Sequence, residues 1–366
     1  MATGLIWDER CMWHNSGLHF GPSSRWIEPV KHPENVEGKR RIKNLLDASG
    51  LTNKLICPVF KKATEEDILR VHSSDYLKEV TKVSESGGGN LAKQMATTNI
   101  GEHGIDIALL AAGGAIAAVK AVMEGTVDNA YALIRPPGHH AKADEALGFC
   151  IFANAALAGQ YALKEHGLDR IAFVDWDVHH GNGTESIFLG DPRVYTISIH
   201  QENCFPPNSG GVDQIGLGDG VGANLNIPLP PGSGEPAYLA AFDRVVKPAL
   251  ERFKPQLIIV PCGFDAGFHD PLGRMMLTSH SFRRLTARIM QIAEAYCDGR
   301  LVLTHEGGYS PHTVPFHCLA VIEQLSGIRS KVIDPFSPPL EPESNEPLID
   351  HQELAINRAE NKLEVP

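Results

Sequence analysis

The segment DWDVHHGNGT, residues 175–184, gathers Asp175, Asp177, His179 and His180 within six positions. Two carboxylates and two imidazoles that close repel or desolvate one another unless a cation sits among them. Asp177 and His179 stand two apart just past the apolar run IAFV (171–174), so in extended backbone their side chains share a direction. A third ligand is expected from Asp265 in CGFDAG, which follows a second apolar run, LIIV (257–260). One histidine and two aspartates leave room for water, the open arrangement of a catalytic zinc. No HExxH or GxSxG pattern supports a zincin or a serine hydrolase instead.

Two carboxylates nearly neutralise a dication, so such a site acidifies water less than a three-histidine site, where the water pKa falls to about 7. A general base is then needed, and RPPGHHA (135–141) offers His139 and His140. A histidine is poised only when an acceptor orients it. Asp175 is the natural partner for one of the pair and the neutral Asn182 for the other, which pushes their pKa values apart, the one beside Asp175 upwards. In HEGGYS (305–310), Gly307 and Gly308 permit a tight turn that aims the phenol of Tyr309 at a developing oxyanion. Loss of one such donor commonly costs ~10²–10³ in rate.

The elements that carry these groups repeat one unit, a short β-branched run, a polar loop and a helix. YALI (131–134) leads into RPPGHHA, IAFV into DWDVHHGNG, VYTISI (194–199) into HQENCFPP, LIIV into PCGFDAG, and LVLT (301–304) into HEGGYS. Helices are expected in GIDIALLAAGGAIAAVKAVMEG, in EPAYLAAFDRVVKPALERF, and in SHSFRRLTARIMQIAEAYC with Ser279 or Ser281 as its cap. Near-continuous apolar strands alternating with helices predict a parallel sheet covered on both faces, with ligands at the carboxyl ends of its strands. All five polar clusters fall at such ends, so five loops should converge on one rim.

The 366 residues carry a net charge of −11, which argues against general nucleic-acid or anionic-membrane binding. The apolar runs stop short of the ~20 residues of a bilayer span, and MATGLIWDER lacks the basic start and apolar core of a signal peptide. Seven scattered cysteines without a CxxC pair fit reduced thiols, and the expected location is cytoplasmic. The glycine-rich ESGGGN and GLGDGVGAN fit turns rather than phosphate loops. Residues 1–330 are expected to form the catalytic domain. The extension 331–366, with three basic and eight acidic residues, begins with the Pro-rich DPFSPPLEPESNEP and continues into a helical stretch. It would wrap the domain, meet a neighbouring subunit, or remain disordered.

RPPGHHA, GFCIFANAA, DWDVHHGNGT, SIHQENCFPP, GFDAGFHDPLG and HEGGYSPH resemble, in order and spacing over roughly residues 5–330, the zinc-dependent histone deacetylase superfamily. The likeness is greatest to its class II branch and the bacterial histone deacetylase-like amidohydrolases. The resemblance implies the α/β arginase/deacetylase fold, with a mainly parallel sheet of about eight strands and helices on both faces. It implies zinc on Asp177, His179 and Asp265, His139 paired with Asp175, His140 as general base, and Tyr309 as carbonyl polariser. Gly148, Phe149 and Phe205 would line an acyl-lysine tunnel, with His180 and His200 at its edge. A structural potassium ion would lie near Asp175, Asp177, His179, Ser198 and Ile199. Asn182 stands where class I members carry Asp, which leaves the His140 partner uncharged. A homo-oligomer is expected.

The substrate class implied is an acetylated lysine peptide. An acetylpolyamine amidohydrolase of the same superfamily would place an acid at the mouth, where DPLG puts the apolar Leu272, although Glu102 in the 87–104 loop offers one. A catalytically silent acyl-lysine binder would lack the tyrosine or a ligand, and all are present here. An arginase-like binuclear manganese site would want further aspartates.

Overall fold

The computed structural model describes residues 1–20, 26, 28, 30–93, 97–337 and 347–364. Seven strands form the central sheet: β1 Thr3–Trp7, β2 Asn129–Leu133, β3 Ile171–Asp175, β4 Val194–Gln201, β5 Asn224–Leu229, β6 Leu257–Cys262 and β7 Leu301–His305. Their order is β1-β2-β7-β6-β3-β4-β5, and every pairing is parallel. The sheet among the described residues is thus one strand smaller than the expected eight. The five apolar runs became β2, β3, β4, β6 and β7, and the two edges are β1 and β5.

Both faces of the sheet are covered, as the apolar runs demand. On β3, Ala172 and Val174 enter one core while Ile171 and Phe173 enter the other. On β6, Ile258 and Val260 oppose Leu257 and Ile259 in the same alternation. Among the helices are α1 Val36–Ala48, α2 Ile105–Met123, α3 Asn154–Glu165, α4 Asn182–Phe188, α5 Glu235–Ala241, α6 Lys247–Phe253, α7 Ser279–Tyr296, α8 Val314–Ser326 and α9 Asp350–Glu360. Helix α2 is long and apolar enough to cross a membrane by length and composition, with mean hydropathy 1.9, more than its sequence suggested. It packs instead as a core helix, its Ala111, Ala112, Ala115 and Ala118 fully buried.

Two expected helix features differ. The stretch 235–253 is broken by a π-turn at Phe242–Val246, just ahead of Pro248. Proline lacks the N–H an α-helix needs there, and the wider turn absorbs the mismatch. Helix α7 is capped by Thr278, whose backbone N–H donates to Ser281 Oγ at 3.1 Å, so the serines lie inside the helix. Within the C-terminal extension, residues 338–346 lie outside the described residues. Beyond them α9 wraps the domain: Ile356 and Ala359 are fully buried, and Arg244 reaches Glu353 at 2.9 Å and Glu360 at 2.6 Å. Lys362 adds a contact to Asp213 at 2.7 Å.

Candidate active site

The carboxyl ends of β2, β3, β6 and β7 bring the polar clusters together, and β4 adds support from the side. Asp177 and His179 lie in a bend after β3 rather than in extended chain, yet their side chains meet: His179 Nδ1 is 3.0 Å from Asp177 Oδ1. The loop after β6 brings Asp265 Oδ2 to 3.2 Å from the same nitrogen. Asp177 Oδ2 accepts the Gly307 amide at 2.8 Å and Asp265 Oδ1 accepts the Val178 amide at 2.8 Å, which fixes both carboxylates.

This trio fits a divalent cation. Donor atoms of Asp177, His179 and Asp265 lie within 4.8 Å of one another, all three residues are buried, and among the described residues Asp265 Oδ2 meets His179 Nδ1 but no backbone amide. A Cβ on Gly307 would meet Asp265 Oδ2 at 2.0 Å and Asp177 Oδ2 at 2.6 Å, so only glycine lets the backbone close over the carboxylates. Burial and the Asp177 charge push Asp265 up to about 6, a repulsion that a cation would remove. One nitrogen and two oxygen donors suit zinc with a position left open.

His139 and His140 stack beside the trio with ring centroids 3.9 Å apart. His139 Nδ1 is 2.9 Å from Asp175 Oδ2, and His140 Nδ1 is 2.7 Å from Asn182 Oδ1 at the start of α4. Burial opposes a charge on His139, but Asp177 and Asp175 outweigh it and raise its pKa to about 10. Burial, reinforced by the positive His139 and His179, holds His140 well below the usual histidine range. Their surroundings thus favour the charged form of His139 and the neutral form of His140. Asn182 Oδ1 can only accept from His140, so Nδ1 carries its proton and Nε2 is the basic nitrogen.

A cavity of about 200 Å³ opens onto these groups, lined by Thr97, His140, Gly148, Phe149, His179, Cys204, Phe205, Leu272 and Tyr309. Phe205 meets His140 edge-on at 4.9 Å, and Phe149 meets Tyr309 at 5.8 Å. A Cβ on Gly148 would lie 2.2 Å from His140 Cδ2, so the close approach of wall to base again needs glycine. Phe149 itself holds φ +70°, with its amide donating to Thr98 Oγ1 at 3.0 Å. Burial, then Asp265 and Asp177, push the Tyr309 phenol well above its usual pKa, so it stays an O–H donor.

His180 and His200 do not line this cavity. His180 contacts Ser209 Oγ at 2.6 Å and Glu185 Oε2 at 3.2 Å, while His200 contacts Ser198 Oγ at 2.9 Å and the Gly210 carbonyl at 3.0 Å. Their rings, 4.8 Å apart, belong to a buried network beside the site. Asp175 and Ser198, two of the residues expected around potassium, are register partners on β3 and β4, and Ile199 follows Ser198 on β4. Glu102 lies in the turn ahead of α2, and residues 94–96 of the 87–104 loop lie outside the described residues.

Several participants escaped the sequence reading. Glu306 is fully buried, and its Oε2 accepts the amides of Gly138 at 2.6 Å and His139 at 3.0 Å. Asp270 accepts the amides of Tyr309 at 2.7 Å and Leu272 at 2.9 Å. Glu34, Arg135 and Lys39 form a buried charge cluster, with Lys39 Nζ 5.6 Å from the Tyr309 ring centroid. Thr97 and Cys204 line the cavity. Glu306 and Asp270 stand inside the quoted motifs, HEGGYS and FHDPLG, but backbone amides as partners leave no spacing signal.

Residues 32–325 match the model of the histone deacetylase domain. The chain is 51% identical over 338 residues to a histone deacetylase-like amidohydrolase of Pseudomonas aeruginosa, covering 91% of this chain and 88% of that protein. It is 38% identical over 330 residues to a "probable deacetylase" of Archaeoglobus fulgidus, covering 89% and 87%. A crystal structure of the HDA15 HD domain superposes with a TM-score of 0.85 at 30% identity, covering 99% of this chain and 94% of the other. With the family's motifs converging on one rim of a parallel α/β sheet, the chain belongs to the histone deacetylase family and is a hydrolase of that family.

Proposed function

We propose that this hydrolase is a zinc-dependent deacetylase acting on the side-chain amide of acetylated lysine. The observation that carries this reading is the narrow cavity lined by Phe149, Phe205 and Leu272 that also exposes His140, His179 and Tyr309. Burying the four methylenes of a lysine stem at about 0.8 kcal/mol each contributes roughly 3 kcal/mol of binding. Asp177, His179 and Asp265 would hold the zinc, which when bound supplies Lewis-acid polarisation of the amide carbonyl and a lower water pKa.

His140 Nε2 takes a proton from water as the water oxygen bonds to the amide carbon. Asn182 fixes the tautomer that leaves Nε2 basic. The Tyr309 hydroxyl donates to the carbonyl oxygen as charge develops on it. As the C–N bond breaks, a protonated histidine gives its proton to the leaving amine. The products are acetate and free lysine, with no covalent enzyme intermediate. The positive charge on His139, held by Asp175, disfavours a second proton on His140 and keeps that base neutral.

A structural potassium ion would be held near Asp175, Asp177, His179, Ser198 and Ile199. Seven free cysteines support a cytoplasmic location, and a homo-oligomer is carried by the family resemblance. Steady-state hydrolysis of an acetyl-lysine peptide and of acetylated putrescine, with zinc-loaded protein and with Tyr309→Phe, tests the reading. The peptide should be the far better substrate, and the variant should lose ~10²–10³ in kcat. Preference for the polyamine would overturn the substrate assignment, because the apolar Leu272 offers no partner for a second ammonium.

A further inference from the structure

The turn 306–309 presents Tyr309, and it is fastened at every step. The Glu306 amide donates to the Cys262 carbonyl at 3.1 Å, and the Gly307 carbonyl accepts from the Phe264 amide at 3.0 Å. At the far end the Tyr309 amide donates to Asp270 Oδ2 at 2.7 Å. The second oxygen of Asp270 accepts from Leu272 at 2.9 Å, so one carboxylate joins the turn to the cavity wall. At the near end Glu306 Oε2 accepts from Gly138 and His139, and so joins the turn to the loop that carries both histidines.

Neither carboxylate forms an ion pair among the described residues, although both are buried, Glu306 at 0% and Asp270 at 7% exposure. A buried carboxylate without a cation is costly unless hydrogen bonds hold it. Here each is held by two backbone amides: Glu306 by Gly138 and His139 of a distant loop, Asp270 by the distant Tyr309 and by Leu272 two residues on. The neighbouring His139, Cys150 and Glu306 are close enough to suggest a metal. Their atoms are already engaged, however: Cys150 Sγ accepts the His140 amide at 3.4 Å and donates to the Gly148 carbonyl at 3.4 Å.

We propose that Asp270 and Glu306 are positioning residues that lock the Tyr309 turn, the Leu272 wall and the His139–His140 loop into one geometry. This rests on reading Tyr309 and His140 as the groups that act on the substrate. The two links leave oxyanion donor and general base little freedom to drift apart. Asparagine cannot replace Asp270, because each carboxylate oxygen accepts a different backbone N–H and one of them would face an N–H. Glu306 takes both amides on Oε2, which a glutamine oxygen could still accept, so alanine is needed to break its link.

The test uses zinc-loaded Asp270→Asn and Glu306→Ala, each alone and combined with Tyr309→Phe. Asp270→Asn should lower kcat on an acetyl-lysine peptide about 10- to 100-fold, as expected of a misplaced catalytic group. KM should change little by comparison. In the Tyr309→Phe background the same substitution should cost no more than about twofold, since its effect runs through the missing hydroxyl. Equal losses in both backgrounds, or a rise in KM alone, would overturn the proposal.

Amide hydrogen exchange supplies a readout independent of activity. Exchange should quicken at Tyr309 in Asp270→Asn and at Gly138 and His139 in Glu306→Ala. Unchanged exchange in folded variants would also overturn it. If wild-type protein cleaves no acyl-lysine peptide, the functional reading fails while exchange still decides the positioning claim. Should Asp270→Asn not fold, Glu306→Ala decides alone, and an unchanged kcat would sink the proposal.

Discussion

Gly307→Ala is a steric probe of the metal site that needs no substrate. The φ of Gly307 is not positive, so alanine meets no backbone strain there. Its Cβ, however, would lie 2.0 Å from Asp265 Oδ2 and 2.6 Å from Asp177 Oδ2. To reach ordinary contact, the nearer carboxylate must shift by about 1.5 Å. Zinc ligands tolerate only about ±0.2 Å. Even changes outside the ligand set commonly cost 10–100-fold in metal affinity, so the loss here should be at least about that, or roughly 1.4–2.7 kcal/mol. Zinc affinity is measured by competition with a chromogenic chelator. Gly190→Ala is the control, because its Cβ meets only the Leu217 carbonyl, at 3.6 Å. If Gly307→Ala binds zinc as tightly as Gly190→Ala, then Asp177 and Asp265 do not jointly hold the metal.

Other consequences concern the base, the buried charges and the C-terminal helix. Asn182→Asp puts a carboxylate on His140 Nδ1 and should raise that histidine's pKa by about 1–3 units. Activity needs neutral His140, so the acidic limb of the kcat/KM profile should move to higher pH; an unmoved limb would argue for another base. Burial opposes the charge on Glu34, but Arg135 and Lys39 hold its carboxyl well below the usual range. Its stabilisation is therefore present above the unfolded carboxylate pKa and lost as pH falls through the lower folded one. Glu34→Gln should cost about 3–5 kcal/mol at neutral pH and flatten the acid side of the stability curve, as read by denaturant melts. Ile356→Ala, on α9, should cost about 2–5 kcal/mol in the same melts; no change would mean that α9 does not dock.

Much of the site was legible because the sequence breaks from apolar to polar at strand ends. IAFV, LIIV and LVLT marked three adjacent central strands, and the groups that followed them, Asp177, His179, Asp265 and Tyr309, meet at one rim. The edge strands were harder. TGLIW in β1 is short, and NLNIPL in β5 interrupts its apolar residues with Asn224, Asn226 and Pro228, which an edge strand tolerates. Asn224 and Asn226 both donate to Glu185, so their polarity serves the network around His180. That network also explains why His180 and His200 sit beside the cavity rather than in it. Glu306, Asp270 and Glu34 left no trace because the partners that tie them to the site, the amides of His139 and Tyr309 and the guanidinium of Arg135, lie far away in sequence. Only three-dimensional proximity reveals such groups.

The central claim, that one zinc held by Asp177, His179 and Asp265 supports amide hydrolysis, is tested most directly by metal reconstitution. Protein stripped with a chelator is titrated with zinc while release of acetate from an acetyl-lysine peptide is followed. The account predicts no turnover in stripped protein and full recovery at about one equivalent of zinc, as expected for a single three-ligand site. Turnover that survives stripping, or that requires a second equivalent, would contradict it.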